Sequence, residues 1–182
     1  MIVSVFGSAL PKQGEAAWQE AYNLGSLLAR SGHTVVTGGY SGSMTAVSRG
    51  AAENGGHVIG ITCEEIENWR PTGANEWVKE ERKIGTLVDR IHALIRCAEA
   101  ILALPGGIGT LAEISVAWNL LAIRSINPLP IILIGPAWQK SIITFLDQAG
   151  SFVSDADRKH ISFAPDIQAA LVQINQIAKN NG

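Results

Sequence analysis

Short apolar runs and stretches of helical periodicity alternate along the whole chain. IVSVF (2–6) is β-rich and stops at Gly7-Ser8. Residues 14–31 then place Ala17, Ala21, Leu24, Leu27 and Leu28 at the spacing of one helix face, and Ser31-Gly32 ends the run. HTVVT (33–37) predicts a second strand closed by Gly38-Gly39. A small-residue helix over 43–54 follows, closed by Asn54-Gly55-Gly56. HVIGIT (57–62) reads as a third strand, and residues 84–98 as a helix with Leu87, Ile91, Leu94 and Ile95 inward. AILAL (100–104), PIILIG (130–135) and HISFA (160–164) bring the strands to about six, with helices over 109–124, 137–149 and 166–179. Residues 63–83 break the rhythm. They are polar, with Pro71, Gly73, two tryptophans and the charge run Lys79-Glu80-Glu81-Arg82-Lys83. A long loop is expected there, of the kind that is functional or mobile.

The strands are continuous apolar runs rather than alternating ones, as when both faces of a sheet are covered. The expected fold class is α/β: a doubly wound, Rossmann-like parallel sheet of about six strands, forming a single domain over 1–182. In such sheets ligands bind outside the carboxyl ends of the strands, near the switch in strand order. The composition narrows the partners. Fourteen basic and sixteen acidic residues give a net charge of -2, without the clustered positive charge that nucleic-acid binding runs on. Cys63 and Cys97 are too few for a disulfide framework, and no group of His, Cys, Asp and Glu has metal-ligand spacing. The first residues lack a basic leader segment, and no apolar stretch reaches membrane-spanning length. A soluble cytoplasmic protein, with no nucleic-acid or membrane partner, is expected.

Three strands end in glycine turns that open a helix: FGSA (6–9), TGGYSGSM (37–44) and LPGGIGT (104–110). Bare backbone lets a ligand approach closely, and the N–H groups at a helix start favour an anion. Glycines also serve tight turns, so the first turn stands open to either reading. The candidate phosphate- or nucleotide-binding residues are Gly7, Ser8, Gly38, Gly39, Ser41, Gly42, Gly106, Gly107, Ile108, Gly109 and Thr110. The first turn is not a dinucleotide fingerprint, because Ala9, Leu10 and Lys12 stand where that pattern needs glycines. No Walker A sequence follows any strand. His33, His57 and His160 fall at strand entrances, opposite the ligand edge, and His92 lies on a helix as a surface or interface residue. No lysine stands among the glycine loops to form a Schiff base with pyridoxal phosphate.

PGGIGTLAE (105–113) resembles the P-G-G-x-G-T-x-x-E motif of the LOG family, the cytokinin-activating phosphoribohydrolases once mislabelled lysine decarboxylases. FGS (6–8) and TGGYSGSMTAVSRGA (37–51) are similar to further family stretches, and the likeness runs over roughly residues 2 to 135. The resemblance implies hydrolysis of the N-glycosidic bond of a nucleoside 5′-monophosphate, with no cofactor. It places Arg90 and Glu113 at the paired catalytic positions. From the residues alone, Arg90 reads as a surface helix arginine bonded to Asp89 or Glu99. Glu113 reads as a first-turn carboxylate favoured by the helix dipole. The resemblance also implies a homodimer, built on the helices of 84–98 and 109–124 with Trp118 exposed.

The chain departs from the family pattern at several points. Val88 and Ile91 stand where a histidine and a lysine flank the family arginine. Tyr40 and Ser43 replace a glycine and a leucine, and Trp118 is two residues nearer the motif than in plant-type members. These departures resemble a divergent branch that includes carriers of molybdenum cofactor. The alternative is therefore a non-catalytic binder or carrier of a phosphorylated heterocycle. A DNA-binding reading, by analogy with a DNA-processing family, has the charge balance against it.

Overall fold

The computed structural model describes residues 1–180. In chain order the elements are β1 (Ile2–Phe6), α1 (Ala16–Arg30), β2 (Thr34–Thr37), α2 (Ser43–Glu53), β3 (Val58–Cys63) and α3 (Glu64–Trp69). Then come β4 (Glu80–Ile84), α4 (Leu87–Arg96), β5 (Ala100–Ala103), α5 (Ile108–Ala122), β6 (Ile131–Ile134) and α6 (Pro136–Ala149). A short 3-10 turn (Gly150–Phe152), α7 (Asp155–Arg158), β7 (Ile161–Ala164) and α8 (Ile167–Asn180) complete the described chain.

The strands form one sheet in the order β4-β3-β2-β1-β5-β6-β7. Every neighbouring pair is parallel. The chain builds outward from β1 to β4, then returns to lay β5 on the other side of β1. The order therefore switches between β1 and β5, where Phe6 pairs with Ala103. Alternate residues of each strand feed the two faces. In β5, Ala100 and Leu102 pack toward α1, α2 and α8, while Ile101 and Ala103 pack toward α4, α5 and α6. That two-sided burial is why the strands read as unbroken apolar runs.

α1 and α2 meet closely because each presents a glycine to the other. A Cβ on Gly25 would strike the Val47 carbonyl, and one on Gly50 would strike the Tyr22 carbonyl. α4 starts at Leu87 because Thr86 caps it. The Thr86 hydroxyl accepts from the Asp89 amide at 3.2 Å and donates to the Asp89 carboxylate at 2.7 Å.

The expected long loop over 63–83 is corrected. It contains α3 and a seventh strand, β4, which pairs with β3 from Ile59↔Glu80 to Cys63↔Ile84. The sequence of β4 is EERKI, and its three middle residues are exposed. An edge strand has little apolar burial to advertise, so its signal was charge. Apart from the 3-10 turn and the four-residue α7, which the periodicity did not mark, the remaining strands and helices fall where it put them, within a few residues at their ends.

Candidate active site at the switch point

The three glycine turns lie together at the carboxyl edge of the sheet, after β1, β2 and β5. The first two lock each other. The Ser43 amide donates to the Ser8 carbonyl at 2.8 Å, and the Ser41 hydroxyl donates to the Ala9 carbonyl at 3.2 Å. Gly42, at φ +69, sits so close to Ser8 and Ala9 that a Cβ would collide with their backbone. Ser8 uses its own hydroxyl within its turn, accepting from the Leu10 amide at 3.1 Å. A Cβ on Gly7 would come within 2.9 Å of the Ser43 Cβ. Gly39 has φ +78, and its amide donates to the Thr37 hydroxyl at 3.1 Å. A Cβ on Gly38 would collide with the Arg90 guanidinium. Each of these four glycines is bare for a reason internal to the protein.

The third turn differs. Gly107 ends the approach to α5, the helix has no side-chain cap, and the Leu111 amide is the first to bond back, to Gly107 at 3.0 Å. The amides of Ile108, Gly109 and Thr110 precede any intrahelical acceptor. Gly106 must lack a side chain because Thr110, itself 3% exposed, packs over it. A Cβ on Gly107 or Gly109 would meet nothing within 4 Å. Nothing inside the fold requires those two residues to be glycine. Ile108 between them is 83% exposed.

Beside this turn lie Arg90 and Glu113. Arg90 is 5% exposed, which corrects its reading as a surface arginine. Asp89 is used in the α4 cap, and Glu99 accepts from the Ile2 amide at 2.6 Å. The Arg90 side chain turns inward instead. Nε donates to the Ile61 carbonyl at 2.7 Å and Nη2 to the Gly38 carbonyl at 3.0 Å. Nη1 faces Glu113 Oε1 at 3.8 Å, beyond hydrogen-bond length. Glu113 lies in the second turn of α5, not the first, because the helix begins at Ile108. Its position therefore owes little to the helix dipole, which acts within the first turn.

Both charges are held at a cost. Burial pushes the Glu113 carboxyl up to about 7, against the pull of the Arg90 cation. Burial likewise draws the Arg90 guanidinium below its ordinary value, with Glu113 the largest opposing influence. At 3.8 Å the pair does not repay the water each group has lost. A titrating carboxyl beside a buried cation, at a sheet's switch point, is a functional-site signature on physical grounds.

Other residues complete the surroundings. Tyr40 is 2% exposed, with the Arg90 guanidinium carbon 5.4 Å from its ring centroid. Asn75 donates from Nδ2 to the carbonyls of Gly39 at 2.9 Å and Tyr40 at 3.1 Å. The sequence offered no signal for Asn75, which sits in a polar stretch, and marked Tyr40 only as a departure from the glycine pattern. Trp118 is corrected from exposed to half-buried, its indole N–H donating to the Asp157 carbonyl at 2.7 Å. His33, His57 and His160 do lie at the opposite edge, just before β2, β3 and β7. His33 bonds Asn175 and His57 bonds Glu80.

An uncapped helix start at the switch in strand order is how doubly wound sheets generally receive anionic ligands, and it puts the chain in the class of Rossmann-like proteins with a ligand site at that switch. Residues 1–159 match the SLOG cluster4 family, and the chain belongs to it. It is 27% identical over 177 residues to the cytokinin riboside 5′-monophosphate phosphoribohydrolase of Rhodococcoides fascians, covering 94% of this chain and 88% of that one. It is 32% identical over 176 residues to the cytokinin riboside 5′-monophosphate phosphoribohydrolase LOG of Oryza sativa subsp. japonica, covering 93% and 70%. Its fold is similar to that of the molybdenum cofactor binding protein of Rippkaea orientalis, with a TM-score of 0.75 at 22% identity over 97% and 96% of the two chains.

Proposed function

We propose that this protein hydrolyses the N-glycosidic bond of a nucleoside 5′-monophosphate, giving the free base and ribose 5-phosphate. The observation that carries the reading is the pairing of buried Arg90 with half-buried Glu113 beside the open backbone of Gly107 and Gly109. In this reading the 5′-phosphate takes the free amides of Ile108, Gly109 and Thr110, and the space beside the two glycines admits it. Ser41 and the turns at Gly7-Ser8 and Gly38-Gly39 wall the site and keep its shape. As the bond from C1′ to the base breaks, the ribose ring gains oxocarbenium character. The Glu113 carboxylate stabilises that charge and orients the water that adds at C1′, while the departing base takes up a proton. Arg90 has two of its three nitrogens spent on main-chain carbonyls, so it steadies Glu113 and the ribose rather than gripping the phosphate. The relatives named as phosphoribohydrolases support this reaction, and the motif resemblance puts Arg90 and Glu113 at the paired positions.

A second reading is a binder or carrier of a phosphorylated heterocycle. Val88, on the first turn of α4, is 64% exposed and brings no acid, base or cation to the site, while Ile91 is packed in the core. The same site would then hold its ligand without turnover. Incubation with AMP separates the two. Release of adenine and ribose 5-phosphate, lowered on the order of 10²-fold or more in Glu113→Gln, is expected of the hydrolase. Micromolar AMP binding with no adenine released over hours decides for the binder.

The same reading has the chain working as a homodimer in the cytoplasm. α5 is apolar nearly all round, a pattern suited to a helix buried on every side. It lines a groove of about 740 Å³ with Trp118, Trp138, Phe145 and Phe152. Both cysteines are free, as a reducing compartment keeps them. Light scattering at micromolar concentration is expected to give twice the 19.3 kDa chain mass; a monomer overturns the dimer.

A further inference from the structure

We infer that Tyr40 is a positioning residue for Arg90, its ring fixing the guanidinium so that Nη1 faces Glu113. The geometry stands by itself; its consequence for turnover rests on the hydrolase reading. The Arg90 guanidinium carbon lies 5.4 Å from the Tyr40 ring centroid, and both side chains are almost wholly buried. A cation over an aromatic face is attracted to it, most strongly where water is excluded. The ring cannot swing away. Its hydroxyl accepts from the Cys63 amide at 2.6 Å and lies 3.1 Å from the Cys63 carbonyl it donates to, with Glu67 Oε1 at 3.3 Å. Its backbone is pinned as well, because the Tyr40 carbonyl accepts from Thr45 Oγ1 at 2.7 Å and from Asn75 Nδ2 at 3.1 Å.

Arg90 is thus held in its plane by the Ile61 and Gly38 carbonyls and on its face by Tyr40. Of the positions open to Nη1, the one toward Glu113 is left. The two carbonyls leave the guanidinium plane able to tilt about the line joining Nε and Nη2, and the ring against its face resists that tilt. The titratable groups around the guanidinium are Glu113 from α5, Tyr40 itself and Cys63 from β3. Glu113 is the one that reports a shift of the cation, because the cation is what holds its proton affinity down.

The test compares Tyr40→Leu and Tyr40→Phe with wild type. Glu113 is followed by carbon NMR of labelled glutamate, assigned with Glu113→Gln, and turnover is followed with AMP. Tyr40→Leu is expected to raise the Glu113 titration by about half a pH unit or more. It is expected to lower kcat about tenfold while KM stays within about threefold. Tyr40→Phe keeps the ring but loses its hydroxyl tether to Cys63, so it is expected to fall between wild type and Tyr40→Leu in both. A folded Tyr40→Leu protein whose Glu113 titrates as in wild type overturns the inference, and so does a Tyr40→Phe protein as impaired as Tyr40→Leu. If wild type releases no adenine, the hydrolase reading fails by itself, and Tyr40 is judged on the titration, which needs no substrate. If Tyr40→Leu does not fold, the Arg90 side-chain protons carry the test: an upfield ring-current displacement retained in Tyr40→Phe supports the contact, and its absence in wild type overturns it.

Discussion

Glycine does two different jobs in the three turns, and substitution separates them. Gly107 has φ -97, which alanine adopts freely, and a Cβ there meets no protein atom. Gly107→Ala is therefore expected to leave the melting temperature within about 0.5 kcal/mol equivalent of wild type. It should weaken AMP about tenfold by calorimetry, because the methyl group takes the space meant for the phosphate. Gly38→Ala should behave oppositely. Its Cβ displaces Arg90 and Met44, and overpacking of this kind costs about 1–3 kcal/mol in a thermal melt. Glu113 makes a separate demand at the same scale. Its carboxyl titrates at about 7, above its ordinary 4.5. The folded protein therefore binds the proton more tightly than the unfolded chain does. That contribution to stability is full below the ordinary value and is lost as pH rises through about 7. Glu113→Gln should flatten the fall in melting temperature between pH 5 and pH 8. Turnover runs the other way, since the carboxylate does the work, and kcat should fall as pH drops through about 7. At this scale the sequence was informative wherever the chemistry was local. The glycine turns, Arg90 and Glu113 could be marked by spacing and resemblance. That Gly7, Gly38 and Gly42 are spent on internal contacts could not, because the colliding atoms come from distant parts of the chain.

Among the elements, the apolar strands and amphipathic helices announced themselves, and β4 did not. Glu80, Glu81, Arg82 and Lys83 gave a charge run with no period, and only pairing with β3 makes it a strand. α3 was equally hidden: six residues, none of them buried, leave no apolar face to detect. The small-residue helix α2 was read correctly, but its reason is visible only against α1. Gly50 and Gly25 let the two backbones touch. Gly50→Ala gains helix propensity and loses this contact, because the Cβ meets main chain that cannot move aside. The clash should win. A destabilisation of about 1–3 kcal/mol in urea unfolding is expected, where an exposed helix glycine would give a gain.

The whole molecule is organised by one event, the return of the chain across β1 to lay down β5. That switch gathers three turns, α4 and α5 at one edge; strand–helix alternation implied that such a switch exists, while its place between β1 and β5 came only with the strand order. The sheet also has two outer strands, and their composition has a consequence for life at high concentration. An outer strand offers unpaired N–H and C=O groups on which another chain can grow a cross-molecular sheet. On one side β4 carries charges of both signs, with His57, Glu80 and Arg82 joined in a surface network. On the other, β7 is four residues long and is followed at once by Pro165. Both edges are thus poor templates for accretion. Glu80→Val combined with Arg82→Val should leave the melting temperature nearly unchanged, since a half-exposed surface ion pair contributes little and valine suits a strand. The same change should make concentrated solutions scatter light and bind thioflavin within days at 37 °C. A double variant that stays clear would show that the charges on β4 are not what keeps neighbouring copies apart.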